Sequence, residues 1–158
     1  MSEVRVRPAE PRDVPAVAAL ETANFARPWS LESLKADITK NKLARYFCLE
    51  ADGQVRGYIG VWLIFDEAHI TNIAIREDCR RQGWGEFLLR SVIAELIPAG
   101  ISKMTLEVRR SNTAAQALYQ KLGFTAEGFR PRYYEDNRED AVIMWACLIP
   151  GQAGTSPE

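Results

Sequence analysis

The sequence predicts an α/β fold with a mixed central sheet, and two observations carry that prediction. Apolar runs short enough for strands alternate along the chain with stretches whose apolar residues recur at helical spacing. Residues 69–75 and 104–108 are both strand-like and flank one long helical stretch, so they lie parallel if they belong to one sheet. The 158 residues amount to about one domain. We therefore expect a single domain over residues 1–149.

The first half of the chain predicts three strands and two short helices. They are a strand at 4–7, a helix from 11 to 24, a helix from 31 to 41, and strands at 46–50 and 55–65. Pro11 suits the first turn of the first helix, and Ser30 has the side chain of an N-cap for the second. Asp52 and Gly53 tolerate the positive φ of a tight turn, so the strands around them form a hairpin.

The second half continues with strands and helices in alternation. They are a strand at 69–75, a helix at 84–97, a strand at 104–108, a helix at 112–122, and strands at 124–129 and 141–148. The helix at 84–97 has an apolar face wide enough to cover a sheet, formed by Leu89, Val92, Ile93, Leu96 and Ile97. Residues 150–158 are small and polar with Pro and Gly, so we expect a disordered tail.

Composition excludes several classes of partner. A net charge of -1 argues against a cationic surface that wraps nucleic acid. Three widely spaced cysteines suit neither a disulfide framework nor a zinc site, which indicates a reducing, cytoplasmic compartment. No stretch approaches the ~18 apolar residues of a membrane span. We expect a soluble, unprocessed monomer with no membrane contact.

A basic, glycine-containing loop, Arg80-Arg81-Gln82-Gly83-Trp84-Gly85, lies between the strand at 69–75 and the helix that follows. Peptide N–H groups in the first helical turn have no partner within the helix, and the helix dipole adds positive charge there. Glycines let an anion approach the backbone closely, and the arginines add fixed charge. The loop predicts a phosphate site, although a polar turn at a helix start fits these residues equally well.

The later helix carries Asn112, Ala115 and Tyr119 at i, i+3 and i+7, so they share one face that can line a groove. A purely structural interpretation is also open, because Asn112 can cap the helix and Tyr119 can pack its ring in the core. Two other reactive side chains are interpreted as structural: Cys79 as a small loop residue and His69 as an ordinary strand residue.

Several segments resemble one enzyme family. The R-x-x-G-x-G spacing at residues 80–85 resembles the acetyl-coenzyme A pyrophosphate loop of the GCN5-related N-acetyltransferases (GNAT). Residues 106–124 are similar to the L-E-V-R-x-S-N-x-x-A-x-x-L-Y-x-x-x-G-F signature of protein N-terminal acetyltransferases within that family. Residues 132–134 and 138–141 resemble the closing hairpin of its RimI group, and residues 25–29, where Pro-Trp-Ser begins, resemble the early substrate loop of that group. The resemblance spans residues 4–148 in order.

This resemblance implies the GNAT fold, with about seven strands, four helices and a V-shaped cofactor cleft between the fourth and fifth strands. It implies acetyl-coenzyme A (acetyl-CoA) as the acetyl donor and no metal. The pantetheine arm is expected to pair with the backbone at 73–75, and the pyrophosphate to take N–H groups from the glycine loop. The implied cofactor-binding residues are Ile73, Ala74, Ile75, Arg80, Arg81, Gln82, Gly83, Trp84, Gly85, Asn112 and Tyr119.

The resemblance also implies the catalytic and substrate-binding residues. A strand glutamate acts as base in this family, often through water, and a helix tyrosine acts as acid; Glu107 and Tyr119 match them. The implied substrate-binding residues are Phe25, Pro28, Trp29, Arg132 and Tyr134. Of these, Tyr134 is expected to hold the substrate backbone near its amine.

Three features near the implied substrate site qualify this assignment. Arg27 stands where the RimI group has an apolar or small residue, and Pro131 enters the turn before the paired tyrosines. A structural role for the second segment is also open, because Glu139 and Asp140 can pair with Arg132 across the hairpin.

The implied reaction is transfer of an acetyl group to the α-amine of a protein N-terminus, by direct attack in a ternary complex. In the RimI group the acceptor is the N-terminal alanine of a small-subunit ribosomal protein. An α-amine has a pKa of about 7.7–8.0 against about 10.4 for lysine, so a carboxylate acting through water suffices to deprotonate it. Two alternatives stay open: acetylation of small amines or of a broader set of N-termini, and a non-catalytic acyl-CoA module that needs neither Glu107 nor Tyr119.

Overall fold

The computed structural model describes residues 3–80 and 82–148 of the chain. Seven strands and four α-helices follow one another there. They are β1 (Val4–Pro8), α1 (Val14–Asn24), α2 (Leu31–Thr39), β2 (Ala44–Ala51), β3 (Gln54–Ile64), β4 (Glu67–Ile75), α3 (Trp84–Leu96), β5 (Lys103–Arg109), α4 (Thr113–Lys121), β6 (Thr125–Arg130) and β7 (Ala141–Cys147). Every predicted element is present, with ends that shift by a few residues. The predicted domain end at 149 and the predicted tail at 150–158 lie outside the described residues.

Local chemistry explains where several elements begin. The first helix starts later than predicted, because Pro11–Asp13 forms a 3₁₀ turn before α1 begins at Val14. Ser30 caps α2, since its hydroxyl oxygen accepts a hydrogen bond from the Ser33 N–H at 3.0 Å. In the β2–β3 hairpin, Asp52 and Gly53 have φ of 54° and 75°, the conformation of the tight turn predicted there.

The seven strands form one mixed sheet in the order β1-β2-β3-β4-β5-β7-β6. Neighbouring strands are antiparallel except β4 and β5, which run parallel. Their pairing covers only residues 67–69 of β4 against 103–105 of β5, while β5 stays paired with β7 along its whole length. Beyond that point β4 and β5 separate and leave a V-shaped cleft, which confirms the predicted fold.

Helices cover both faces of the sheet. Helix α3 buries Leu88, Leu89 and Val92 against one face, and α4 joins the same cluster through Tyr119. Helices α1 and α2 cover β2, β3 and β4 on the other face, where Val17 and Leu34 are buried. The two layers of helix leave the ends of β4 and β5 accessible between them.

Buried side chains lie so close to the β3 backbone at Gly60 that one added methyl group should destabilise the protein. A Cβ added at Gly60 would lie 2.6 Å from Asn72 Oδ1 and 2.6 Å from Tyr46 Cζ, both on buried side chains. We expect Gly60→Ala to lower the free energy of unfolding by about 1–3 kcal/mol, measured by urea denaturation. Gly128→Ala is the matched control, because the atom nearest to its added Cβ would be Ile143 Cδ1 at 3.8 Å, an ordinary contact. Equal loss of stability in the two variants would contradict this explanation.

Candidate active site

The separation of β4 from β5 opens a cleft of about 630 Å³. Its lining comes from α1, the α1–α2 segment, β4, β5, α4 and the β6–β7 segment. Seven residues that the sequence assigned to a site line this one cleft: Phe25, Trp29, Ile73, Glu107, Asn112, Tyr119 and Tyr134. Residues up to 109 positions apart are thus brought together. Pro28 and Arg132 are exposed and lie outside the lining of this cleft.

The backbone of β4 presents alternate peptide groups to the cleft side. The Arg76 N–H donates to the Arg56 carbonyl at 2.7 Å, which fixes the hydrogen-bonding phase between β3 and β4. In an antiparallel pair, residues that hydrogen-bond to the neighbouring strand alternate with residues whose N–H and C=O groups point away from it. Ala74 therefore bonds to β3, while Ile73 and Ile75 direct their N–H and C=O groups away from β3. Of the three residues predicted to pair with a ligand backbone, Ile73 and Ile75 have suitable orientation.

The glycine loop forms the start of α3. Gly83 is its N-cap in the left-handed region, with φ of 78°, and its carbonyl accepts the first helical hydrogen bond from Phe87 at 3.0 Å. The N–H groups of the first turn, at Trp84 and Gly85, therefore point out of the helix end. This end suits an anion, because exposed N–H groups and the helix dipole coincide there.

The charged residues beside the loop are engaged with neighbours. The Arg80 guanidinium donates to the Asn24 side chain and lies 3.4 Å from the Ile75 carbonyl oxygen. The carboxylate of Glu86 in the first turn pairs with Lys121 at 2.8 Å and Arg90 at 2.9 Å, which neutralises its charge near the helix end. Arg81 lies outside the described residues, so its predicted role stays a prediction.

Glu107 reaches the cleft from β5 with a side chain that is 31% exposed. Its carboxylate forms an ion pair with Arg130 of β6. Burial, and then the charge of the neighbouring Glu107, raise the pKa of Tyr133 above its ordinary value. Glu107 is therefore a carboxylate at the cleft surface with polar neighbours on one side.

Tyr119 reaches the same cleft from α4. Its side chain is buried, and its ring packs against Phe124 with 5.8 Å between ring centroids. Burial raises the pKa of Tyr119 to about 12, so its hydroxyl keeps its proton at neutral pH. The structural interpretation of this ring in the core is correct, and the residue lines the cleft as well.

Asn112 also combines both interpretations left open by the sequence. Its side-chain oxygen accepts a hydrogen bond from the Ala115 N–H at 3.1 Å, so it caps α4. It also lines the cleft. The cap fixes the first turn of the helix that carries Tyr119.

The α1–α2 segment forms one wall of the cleft. Phe25 and Trp29 line it, and the Trp29 N–H donates to a carboxylate oxygen of Glu21 at 2.9 Å. The Trp29 indole meets Trp62 edge to face, with 6.4 Å between ring centroids. The wall is thus tied to α1 and β3.

The β6–β7 segment forms the opposite wall. The Tyr134 ring lies under the Arg109 guanidinium, 4.0 Å from its carbon, and burial raises the pKa of Tyr134 to about 12. Arg109 also pairs with Asp136 at 2.9 Å. The sequence did not single out Arg109 for this role.

The acidic residues of this segment do not pair with Arg132 as one interpretation had it. Glu139 pairs with Arg109 at 3.4 Å, and Asp140 pairs with Arg110 at 3.4 Å. Arg132 contributes its backbone N–H, which donates to Asp140 at 3.0 Å. The reason is topological: β5 lies next to β7, so its final arginines meet the segment that leads into β7.

A buried polar network that includes two cleft-lining residues, Glu21 and Asn72, was missed by the sequence analysis. Glu21 is 2% exposed and accepts hydrogen bonds from the Tyr58 hydroxyl and from the Asn72 amide, the latter at 3.1 Å. Asn72 follows a β-bulge in β4, where the pairing with β3 shifts at Thr71. A carboxylate within the apolar pattern of α1 was the available signal.

The remaining reactive side chains have structural surroundings. Cys79 is buried, and that burial raises the pKa of its thiol, which disfavours a nucleophilic thiolate. His69 lies in β4, with Nε2 at 3.0 Å from Glu67 and its ring edge-on to Trp145. Within residues 3–80 and 82–148, no group of three or more His, Cys, Asp or Glu is placed to hold a metal ion. No helix in that part of the chain has the length and apolar character to cross a membrane.

Sequence comparisons identify relatives over most of the chain. Residues 14–124 match the family model described as the Acetyltransferase (GNAT) family. A Bacillus subtilis relative is 40% identical over 147 residues, which cover 93% of this chain and 97% of the relative. The ribosomal protein bS18-alanine N-acetyltransferase of Escherichia coli (strain K12) is 40% identical over 139 residues, covering 85% of this chain and 91% of that protein.

Solved structures agree with the sequence matches. The crystal structure of the ribosomal-protein-S18-alanine N-acetyltransferase from Escherichia coli matches with a TM-score of 0.86 and 36% identity, covering 92% of this chain and 94% of that one. Ard1 from Thermoplasma volcanium matches with a TM-score of 0.82 and 24% identity, covering 92% of this chain and 98% of that one. At that identity the second match shows the fold alone.

Proposed function

The chain belongs to the GNAT acetyltransferase family, and from that premise we propose that it is a protein N-terminal acetyltransferase. Its reaction moves the acetyl group of acetyl-CoA to the α-amine of a protein N-terminus. The name of the Escherichia coli relative gives ribosomal protein bS18 and alanine as the substrate. We propose the N-terminal alanine of that ribosomal protein as the substrate here.

The observation that carries this proposal is that Glu107 and Tyr119 line the same cleft from different elements. Amine acetylation needs a group that takes a proton from the amine and a group that gives one to the leaving sulfur. The surface carboxylate of Glu107 can take the proton, and the phenol of Tyr119, whose pKa is raised, can give one. A module that only binds acyl-CoA needs neither.

The chain also has suitable groups for acetyl-CoA, which supplies the acetyl group as a thioester. The first turn of α3, from Gly83 to Gly85, would hold the diphosphate through outward N–H groups. Ile73 and Ile75 would pair with the amides of the pantetheine arm by strand addition. A Cβ at Gly85 would meet Leu118 of α4 at 3.6 Å and Ile75 of β4 at 3.9 Å, so the first turn of α3 lies close to both elements at this glycine.

Each catalytic residue then moves one proton. Glu107 would accept the proton of the α-amine, either directly or through a water, at its carboxylate oxygen. Tyr119 would donate from its hydroxyl, which burial keeps protonated at neutral pH. Asn112 supports this arrangement by capping the helix that carries Tyr119.

The two walls explain why a peptide end suits this cleft. Phe25 and Trp29 on one side and Tyr134 on the other leave a slot between aromatic surfaces. An extended chain end can enter such a slot with its backbone against polar tips of aromatic side chains. Pro28 and Arg132 flank the two walls, where they would contact later residues of the substrate. Activity in the cytoplasm as a monomer is part of the same proposal.

A substrate panel tests the reaction class. The protein is incubated with acetyl-CoA and a peptide that begins with a free alanine, the same peptide blocked at its N-terminus but containing lysine, or spermidine. We expect acetylation of the free N-terminus alone, located by tandem mass spectrometry. Comparable activity on spermidine or on the blocked peptide would contradict the N-terminal assignment, and activity on none of them would contradict the enzyme assignment.

Glu107→Gln should reduce turnover at neutral pH. An α-amine with a pKa of about 7.7–8.0 is already partly deprotonated there, so we expect a loss of about ten- to a hundredfold rather than more. The loss should shrink as the pH rises toward 9, because the substrate then loses its proton without help. Steady-state rates across pH measure this. A loss that does not depend on pH would contradict the role of Glu107 as base.

A further inference from the structure

The α1–α2 wall, residues 25–30, is held to the frame of the protein at its inner end. Glu21 accepts the Trp29 N–H with one carboxylate oxygen and binds Tyr58 and Asn72 with the other. Because Glu21 is buried, these hydrogen bonds tie the wall to β3 and β4 with little access of water. The inner end of the wall therefore has a defined position.

The β6–β7 wall, residues 131–140, is held in a similar way from β5. Arg109 donates to both oxygens of Asp136, at 3.1 and 2.9 Å, and covers the Tyr134 ring. Glu139 accepts the backbone N–H of Ser111. This wall is thus fixed to the strand that also carries Glu107.

The tips of the two walls meet in an ion pair across the cleft. Arg27 Nη1 lies 3.0 Å from Glu135 Oε2, and both residues line the cleft. Their side chains are 67% and 73% exposed, so the pair forms at the surface where the cleft opens. Arg27 is also one of the two positions at which the sequence departs from the pattern expected from the RimI resemblance.

We propose that Arg27 and Glu135 form a specificity-determining ion pair that sets the spacing of the two walls, an inference that rests on the proposed function. With the pair closed, the mouth of the cleft fits one extended chain end, whose α-amine is near Glu107 when its backbone lies along the walls. A lysine side chain brings a longer, flexible arm whose parent backbone stays outside the pair. The pair therefore favours N-terminal amines over lysine amines.

The proposed role of the Arg27–Glu135 pair can be tested apart from the folding stability of the protein. Exposed ion pairs contribute little to folding, so loss of the Arg27–Glu135 pair should leave the protein folded. The proposed acetyl-CoA site at the start of α3 lies on elements that do not carry the pair, so the affinity of the protein for acetyl-CoA should also stay unchanged. The expected effect is on the peptide KM and on the preference between the two kinds of amine.

Charge reversal tests the pair. We expect Arg27→Glu and Glu135→Arg each to raise the KM of an alanine-starting peptide by about two- to fivefold, and the double reversal to restore it. The ratio of kcat/KM for the free N-terminus to that for a blocked lysine peptide should fall in the single variants and recover in the double. At 1 M salt, where the Debye length is about 3 Å, the differences should shrink. Single variants with unchanged KM, or a double reversal no better than the singles, would overturn the inference.

Hydrogen exchange on the protein alone gives a readout that needs no activity. Amides of residues 132–140 should exchange faster in each single variant and return to wild-type rates in the double reversal. Arg12→Glu is the control. Arg12 forms an exposed ion pair with Glu10 at 2.8 Å, and neither residue lines the cleft. If exchange shows the coupling but the wild type acetylates no peptide, the proposed function is wrong and the bridge between walls stands. If the wild type acetylates the peptide and exchange shows no coupling, the inference is wrong and the function stands.

Discussion

Replacing Tyr119 with phenylalanine should lower kcat by about a hundredfold or more, because it removes the proton donor for the leaving sulfur. The variant keeps the ring that packs against Phe124, so the fold and the cleft should persist. Acetyl-CoA affinity should stay close to that of the wild type, since a donor that acts late contributes to the transition state more than to binding. Steady-state kinetics and calorimetric titration with coenzyme A measure the two quantities.

Two outcomes for Tyr119→Phe would contradict the role assigned to Tyr119. Turnover within about threefold of the wild type would contradict the role of this hydroxyl, whatever the affinity does. A parallel collapse of the unfolding midpoint and of coenzyme A affinity would instead mean that the residue is structural. Circular dichroism on the same samples distinguishes that case.

Gly83→Asp should weaken coenzyme A binding by at least about tenfold relative to Gly83→Asn. Both substitutions place a side chain of the same shape at a residue whose φ is 78°, and both residue types tolerate that left-handed conformation better than most. No atom lies within 4 Å of a Cβ placed at Gly83, and Asp and Asn differ little in shape, so any steric cost is shared by the two variants. The difference between the two variants therefore isolates one negative charge at the start of α3.

Calorimetric titration of both variants and the wild type with coenzyme A measures this difference. Affinities of both variants equal to that of the wild type would place the diphosphate elsewhere. A deficit shared by both variants would point to the backbone conformation of the loop and not to its charge preference.

The order of the elements could be predicted from the sequence because each signal is local. The 3.6-residue apolar period marked α3, and Ser30 and Asn112 both act as the caps that their side chains suggest. The cleft itself is not a local property. It exists because β5 stays paired with β7 along its length and with β4 over three residue pairs, and only the family resemblance placed it between these strands.

The site could be predicted in part for the same reason. Glu107 and Tyr119 fall within one signature of contiguous sequence, and the structure places both on the cleft. The contacts that hold the walls join residues far apart in the chain, such as Glu21 with Asn72 and Arg27 with Glu135. No periodicity or motif reports such pairs, so the supports of the site appear only in three dimensions.

Full-length ribosomal protein bS18 with a free N-terminal alanine is the most direct test of the proposed function. The protein and acetyl-CoA are incubated with bS18, and the position of any added acetyl group is determined by tandem mass spectrometry, with Tyr119→Phe as the matched control. We expect acetylation of the N-terminal α-amine by the wild type and very little by the variant. No modification of bS18 by the wild type, or acetyl groups found on lysine side chains alone, would contradict it.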